Sequence, residues 1–152
     1  MKNIKYQDLL KISKTQKKPI PLLSDLIKLS ENKRFLMLEI KPLFTKDNLK
    51  VLLQESKKIK NYSFTSFKEN NIINLYKMKK SLNLGLLIPS TFTFNRIVEK
   101  SKKKHVKFLV LEKNFLREKK LNKIKKKIYF YTIKDKKLFN QFNNKNLIFE
   151  NL

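Results

Sequence analysis

The sequence predicts an α/β fold built on a parallel sheet, and three observations carry that expectation. Short apolar runs rich in Leu, Ile and Phe begin at intervals of roughly twenty to twenty-five residues. An amphipathic stretch of helical period fills each interval. Proline closes two of the runs, at positions 42 and 89, where a chain leaving a sheet tolerates its missing N–H. Together they describe about six βα units with right-handed connections, read as a single domain over residues 1–152.

In chain order, 6–13 reads as a short helix, and Ser24-Asp25 opens another that ends near Asn32. Phe35 to Lys41 is the first strand. Asp47 is the expected N-cap of a helix with Leu49, Leu52, Leu53 and Ile59 on its apolar stripe. Tyr62 to Phe67 is a strand, followed by a helix through Ile72, Ile73, Tyr76 and Met78. Leu84 to Ile88 is a strand, Thr91 to Lys104 a helix, and Val106 to Leu111 a strand. Phe115, Leu116, Leu121 and Ile124 are expected on one helix. Lys127 to Ile133 is a strand, Asp135 to Phe142 a helix, and Leu147 to Glu150 the last strand. This pattern fits most of an eight-stranded barrel or a doubly wound sheet and does not choose between them. The single glycine, Gly85, sits inside a strand, which argues against a dinucleotide-binding turn and excludes a P-loop.

Composition removes further classes. There is no cysteine, so neither disulfides nor thiolate chemistry. No leader-like stretch opens the chain and no apolar run is long enough to span a bilayer, so a soluble, cytoplasmic protein is expected. The formal charge of +25 invites a nucleic-acid ligand. However, the excess is lysine, with Asn, Ile and Phe abundant and alanine absent, as A/T-rich codons dictate. The charges read as solvated faces spread along the chain, and no element presents base-reading side chains, so nucleic acid is not the expected partner.

The most informative segment is Phe35-Leu-Met-Leu-Glu-Ile-Lys41. Strand side chains alternate, so Glu39 and Lys41 emerge on one face at the strand's end while Ile40 points the other way. Such a pair suits a metal ion and a phosphate, and equally an ordinary ion pair at a sheet edge.

Several segments, taken in order, resemble the glycerophosphodiester phosphodiesterase family, metal-dependent hydrolases on a TIM-barrel scaffold. Tyr6-Gln-Asp-Leu-Leu10 and Ile20-Pro-Leu-Leu-Ser-Asp-Leu-Ile27 resemble the family's "eL" helix and "iPtLeeVL" segment. Leu38-Glu-Ile-Lys41 is similar to its "iEiK" strand, Phe64-Thr-Ser-Phe67 to "qSF", and Leu84-Gly-Leu-Leu87 to "lGlL". Tyr129-Phe-Tyr-Thr-Ile133 resembles "v.vwTvn", and Leu147-Ile-Phe-Glu150 stands where the family has "giiTD". The resemblance implies a partial TIM-type (β/α) barrel lacking its first strands. It implies Glu39 as a ligand of Ca²⁺ or Mg²⁺ and Lys41 as a contact to substrate phosphate, with Ser66, Phe67, Tyr131 and Thr132 around the pocket mouth.

The family's "HRG", "E.D" and "HD" motifs, which carry two catalytic histidines and two metal ligands, have no counterpart in this sequence. No catalytic residue is therefore assigned. His105 stands before a strand, at the end away from a barrel's active site. Glu112 and Glu150 end strands and could join Glu39 around a metal. The resemblance implies a truncated member, inactive alone, whose barrel and divalent-metal site are completed by an N-terminal segment or a second copy. A glycerophosphodiester is the implied substrate, cleaved to glycerol 3-phosphate and an alcohol.

Overall fold

The computed structural model describes residues 7–8, 10–11, 20–30 and 33–151. Of the helix expected over 6–13, Gln7, Asp8, Leu10 and Lys11 are helical, and the rest lies outside the described residues, as does Asn32. Helix α1 (Leu23–Ser30) leads into β1 (Leu36–Glu39), α2 (Lys46–Ser56), β2 (Tyr62–Ser66) and α3 (Glu69–Met78). Then come β3 (Leu84–Ile88), α4 (Phe94–Lys102), β4 (Phe108–Glu112), β5 (Lys127–Ile133), α5 (Lys136–Gln141) and β6 (Asn146–Phe149).

The six strands form one sheet in the order β1-β2-β3-β4-β5-β6, with every neighbouring pair parallel. That order decides what the sequence left open. A doubly wound sheet reverses direction at a switch point, whereas here each crossover steps the same way. Right-handed crossovers that all step one way place every helix on one face, and the sheet curls with its other face inward. The result is a curled half-barrel.

The two faces carry different residues because side chains alternate along each strand. Phe64, Leu84, Leu86, Ile88, Leu109, Leu111 and Phe130 point outward into the main core, where they meet Leu49, Ile72, Leu75 and Ile97 from the helices. Leu87, Phe108 and Val110 point inward with Met37, Tyr129, Tyr131 and Ile148. Gly85 shares this inner face. A Cβ there would stand 2.3 Å from a ring carbon of Phe108, so the missing side chain is what admits that ring beside β3.

Three local expectations are corrected. Thr45, not Asp47, caps α2, its hydroxyl accepting from the N–H of Asn48 at 3.2 Å. The helix expected over Thr91 to Lys104 is shorter, Phe94–Lys102, because the Thr93 hydroxyl caps it by accepting from the N–H of Arg96. The helix expected through Phe115 to Ile124 is instead two 3₁₀ segments, Lys113–Phe115 and Lys119–Lys123. Leu116 and Leu121 lie five apart, which breaks a three-to-four stripe, and the Glu118 carboxylate caps the N–H of Lys120 between the segments.

Candidate functional site

The concave face ends in a cavity of about 450 Å³ lined by inward residues of β1 to β6, among them Met37, Glu39, Thr65, Leu87, Val110 and Tyr131. Its floor is apolar and its polar groups sit at the C-terminal ends of the strands, where βα barrels place their chemistry.

β1 sets the polar rim. Glu39 is its last residue, and Ile40 continues the ladder for one bond, its N–H donating to the Thr65 carbonyl at 2.8 Å. Lys41 therefore returns to the same side, and its Nζ donates to Glu39 Oε2 at 3.0 Å. The lysine side chain remains 78% exposed and the glutamate 32%, so the pair stands at the mouth rather than in the floor. An ammonium has three donors, and one hydrogen bond to Glu39 leaves the others for an incoming anion.

Tyr131 forms the opposite wall. Its ring packs edge-on against Phe67 at 5.9 Å, and its hydroxyl reaches toward the Ile88 carbonyl at 3.4 Å. Burial, followed by the negative charges of Glu112 and Glu39, pushes the phenol up to about 12, so it is a proton donor throughout the neutral range. Thr132 also lines the cavity, although strict alternation would turn it behind the strand. The register of β5 with β6 is irregular between Phe130 and Ile133, which brings Tyr131 and Thr132 to one side and returns Ile133 to the core.

The expected pocket residues thus converge, with one exception. Ser66 is fully buried behind β2. Its hydroxyl donates to the Ile40 carbonyl at 2.6 Å and accepts from the N–H of Lys68 and from Asn71 Nδ2. Alternation explains this: Thr65 points inward, so Ser66 cannot.

Asn71 is the residue that sequence reading misses. It is fully buried at the start of α3, and its amide donates to the Pro42 carbonyl at 2.8 Å. Its Oδ1 accepts from the N–H of Phe44 at 3.0 Å. The side chain therefore clamps both ends of the turn that follows Lys41. An asparagine in an otherwise apolar helix stripe, with Ile72 and Leu75, was the available signal.

The other ionisable candidates do not join the cavity. His105 Nε2 meets Glu69 Oε1 at 3.1 Å, and Lys100 binds the other oxygen at 2.7 Å. Burial alone would raise the Glu69 carboxyl, but the hydrogen bonds from Lys100 and His105 outweigh it and hold the group below its usual value. Glu112 accepts from the N–H of Ser90 at 2.8 Å, and Glu150 pairs with Lys134 at 3.0 Å. Among the described residues no three acidic or imidazole groups cluster as metal ligands. A Ca²⁺ or Mg²⁺ ion needs several convergent oxygens, so Glu39, Glu112 and Glu150 do not fit such a site by themselves.

No protein-family model matches the sequence, and no curated protein matches it. Solved structures do. A glycerophosphodiester phosphodiesterase from Parabacteroides distasonis superposes with a TM-score of 0.68 at 15% identity, over 87% of this chain and 60% of its own. A putative one from Galdieria sulphuraria gives 0.76 at 14% identity, over 98% of this chain and 67% of its own. The fold is that of the glycerophosphodiester phosphodiesterases. A phosphodiesterase from Oleispira antarctica, solved in complex with its product sn-glycerol-3-phosphate, gives 0.75 at 19% identity, over 90% of this chain and 60% of its own. The chain thus spans about 60% of the length of the first of these phosphodiesterase structures, as it does of the Oleispira one. Among the described residues no helix is long and apolar enough to cross a membrane.

Proposed function

We propose that this chain is the C-terminal part of a glycerophosphodiester phosphodiesterase barrel and supplies the phosphate-holding side of its site. The observation that carries the reading is the Glu39–Lys41 pair at the C-terminal mouth of a six-stranded parallel half-barrel. A closed (β/α)₈ barrel has eight strands, so two more close it between the free edges of β1 and β6. The inner face supports such a complement, since Met37, Tyr129 and Ile148 are only partly covered.

In the assembled site Lys41 neutralises a non-bridging phosphate oxygen as a point charge. Protonated Tyr131 turns its single O–H from the long contact with the Ile88 carbonyl to the substrate, and the apolar floor excludes water beneath the ester. Glu39 holds Lys41 at the mouth and would supply one oxygen to a divalent cation, whose other ligands would have to come from the complementing segment. The general acid and base come from that segment too, so the chain alone does not hydrolyse the diester.

A second reading, a phosphate-binding remnant without catalysis, is favoured by one observation: Glu39 and Lys41 already satisfy one another. Release of glycerol 3-phosphate from glycerophosphodiesters separates the two. The chain assembled with a two-stranded βα segment hydrolyses the diester, and Glu39→Gln abolishes this. Full activity of Glu39→Gln in the assembly would contradict the proposal, and binding without turnover supports the remnant.

A further inference from the structure

The parallel sheet sorts the basic residues in a way the linear sequence conceals. Every connection entering a strand lies at one end of the sheet, and every connection leaving one lies at the other. Those entering β2 to β6 are 57–61, 79–83, 103–107, 124–126 and 142–145. They hold three, two, three, two and one lysines in turn, and no Asp or Glu. The connections leaving β1 to β5 (40–45, 67–68, 89–93, 113–118 and 134–135) hold five basic and two acidic residues. Glu39 and Glu112, on the last positions of β1 and β4, bring that end close to neutral.

Two general causes fall short of this asymmetry. A codon bias toward lysine loads both ends alike. The helix dipole favours cations in the last helical turn, yet Lys60, Lys80, Lys104, Lys107 and Lys126 stand beyond it. With strands about 4.8 Å apart, the five clusters follow an arc of roughly 20 Å.

The surface at this end is hollowed rather than smooth. One recess of about 340 Å³ is lined by Lys60, Asn61, Lys79, Ser81 and Asn83. Another, of about 450 Å³, is lined by Lys102, Lys104, Lys107 and Lys126 around the ring of Tyr76. Lysines crowd here at an electrostatic cost. Burial and then the charge of Lys107 hold the Lys126 ammonium below its usual pKa, a penalty that a bound anion relieves.

We propose that this lysine-lined end of the sheet binds the sugar–phosphate backbone of a nucleic acid strand, independently of base sequence. Arg34, just ahead of β1, is at this end, while Arg96 and Arg117 are not; the five connections themselves carry no guanidinium for bidentate reading of guanine. An anionic bilayer is the competing occupant. Binding there draws on apolar side chains that enter the interface; among the described residues none of the exposed large hydrophobics falls in these five connections, although the exposed ring of Phe35, ahead of β1, lines the first recess.

The test uses the whole chain with a fluorescently labelled oligo(dT) strand, and phosphatidylcholine–phosphatidylserine vesicles in parallel. Lys80, Lys104 and Lys125 are exposed at the basic end, and Lys68, Lys113 and Lys137 are exposed at the other. The triple variant Lys80→Glu, Lys104→Glu, Lys125→Glu should lose affinity by about tenfold or more, with the logarithmic salt dependence flattened by about two, as three lost phosphate contacts on a single strand require. Lys68→Glu, Lys113→Glu, Lys137→Glu makes the same charge change and should lose far less. Lysine acetylation of the unmutated protein gives a readout that no folding defect can imitate. The bound strand should protect Lys80, Lys104 and Lys125 and leave Lys68, Lys113 and Lys137 reactive. Equal losses in the two triples, equal protection at both ends, or tighter binding to the vesicles would each overturn the proposal.

Discussion

In the proposed reading Lys41 approaches a phosphate from the cavity mouth, where its pairing with Glu39 holds it without burying it. The pair is mostly solvent-exposed, so its direct worth to folding is small, about 0–1 kcal/mol. Lys41→Ala should therefore leave the denaturation midpoint nearly unchanged while weakening anion binding in the cavity. Tyr131 offers a second reading of the same site. Its phenol lies at about 12 in the folded chain against an ordinary value near 10. The folded state holds this proton above the pH at which the unfolded chain loses it, so folding stability falls as pH rises from about 10 to 12. Absorbance titration of tyrosinate should show one late-ionising phenol that Tyr131→Phe removes. Glu112→Gln should move it down only partway, because burial is the larger cause. Gly85 is constrained by volume rather than by charge. Gly85→Ala places a methyl group within 2.9 Å of three Phe108 ring carbons. It should cost about 1–3 kcal/mol by overpacking, measured by urea denaturation, and Phe108→Leu in the same chain should recover part of the loss.

At the scale of elements, strands were far more legible than the pieces between them. Leu84–Ile88 and Lys127–Ile133 stand where the sequence put them, because a buried parallel strand is a continuous apolar run whose limits are set by Lys, Asn or Pro. The segment after β4 was misread because its apolar residues count toward helix in composition but not in spacing. Ser66 was misplaced for a related reason: resemblance assigns a residue to a strand end, whereas alternation assigns it to a face. The sequence marks Asn71 as a polar residue on an apolar stripe but hides its role, because its partners, Pro42 and Phe44, are backbone groups 29 and 27 residues away. It joins α3 to the turn that carries Lys41, so replacing it affects both stability and binding. Asn71→Leu leaves the Phe44 N–H and the Pro42 carbonyl without their partner, at about 1–3 kcal/mol for each buried group left unmet. Urea denaturation should report that loss. Hydrogen exchange should show opening at 42–45 before the rest of the sheet, which a purely global effect would not produce.

For the whole molecule, strand order carries the argument from fold to function. Six parallel strands in sequential order leave one face for helices and one for a site, and the site face is only partly enclosed. Among the described residues no strand pairs with the outer edges of β1 and β6, and Phe35 and Phe149 beside them are 50% and 57% exposed. The sheet also separates charge, with lysines at its N-terminal end and the mixed Glu39–Lys41 rim at the other. Sequence alone concealed this, since residues sharing an end of the sheet are some twenty positions apart in the chain. The central claim is that the cavity mouth holds a phosphate through Lys41. Calorimetric titration of sn-glycerol 3-phosphate into the chain, beside Lys41→Ala and the triple variant of the basic end, tests it most directly. The account predicts that Lys41→Ala weakens binding about tenfold, as loss of one charge-assisted hydrogen bond does, while the triple variant binds nearly as the parent does. Unchanged affinity in Lys41→Ala, or loss confined to the triple variant, would contradict it.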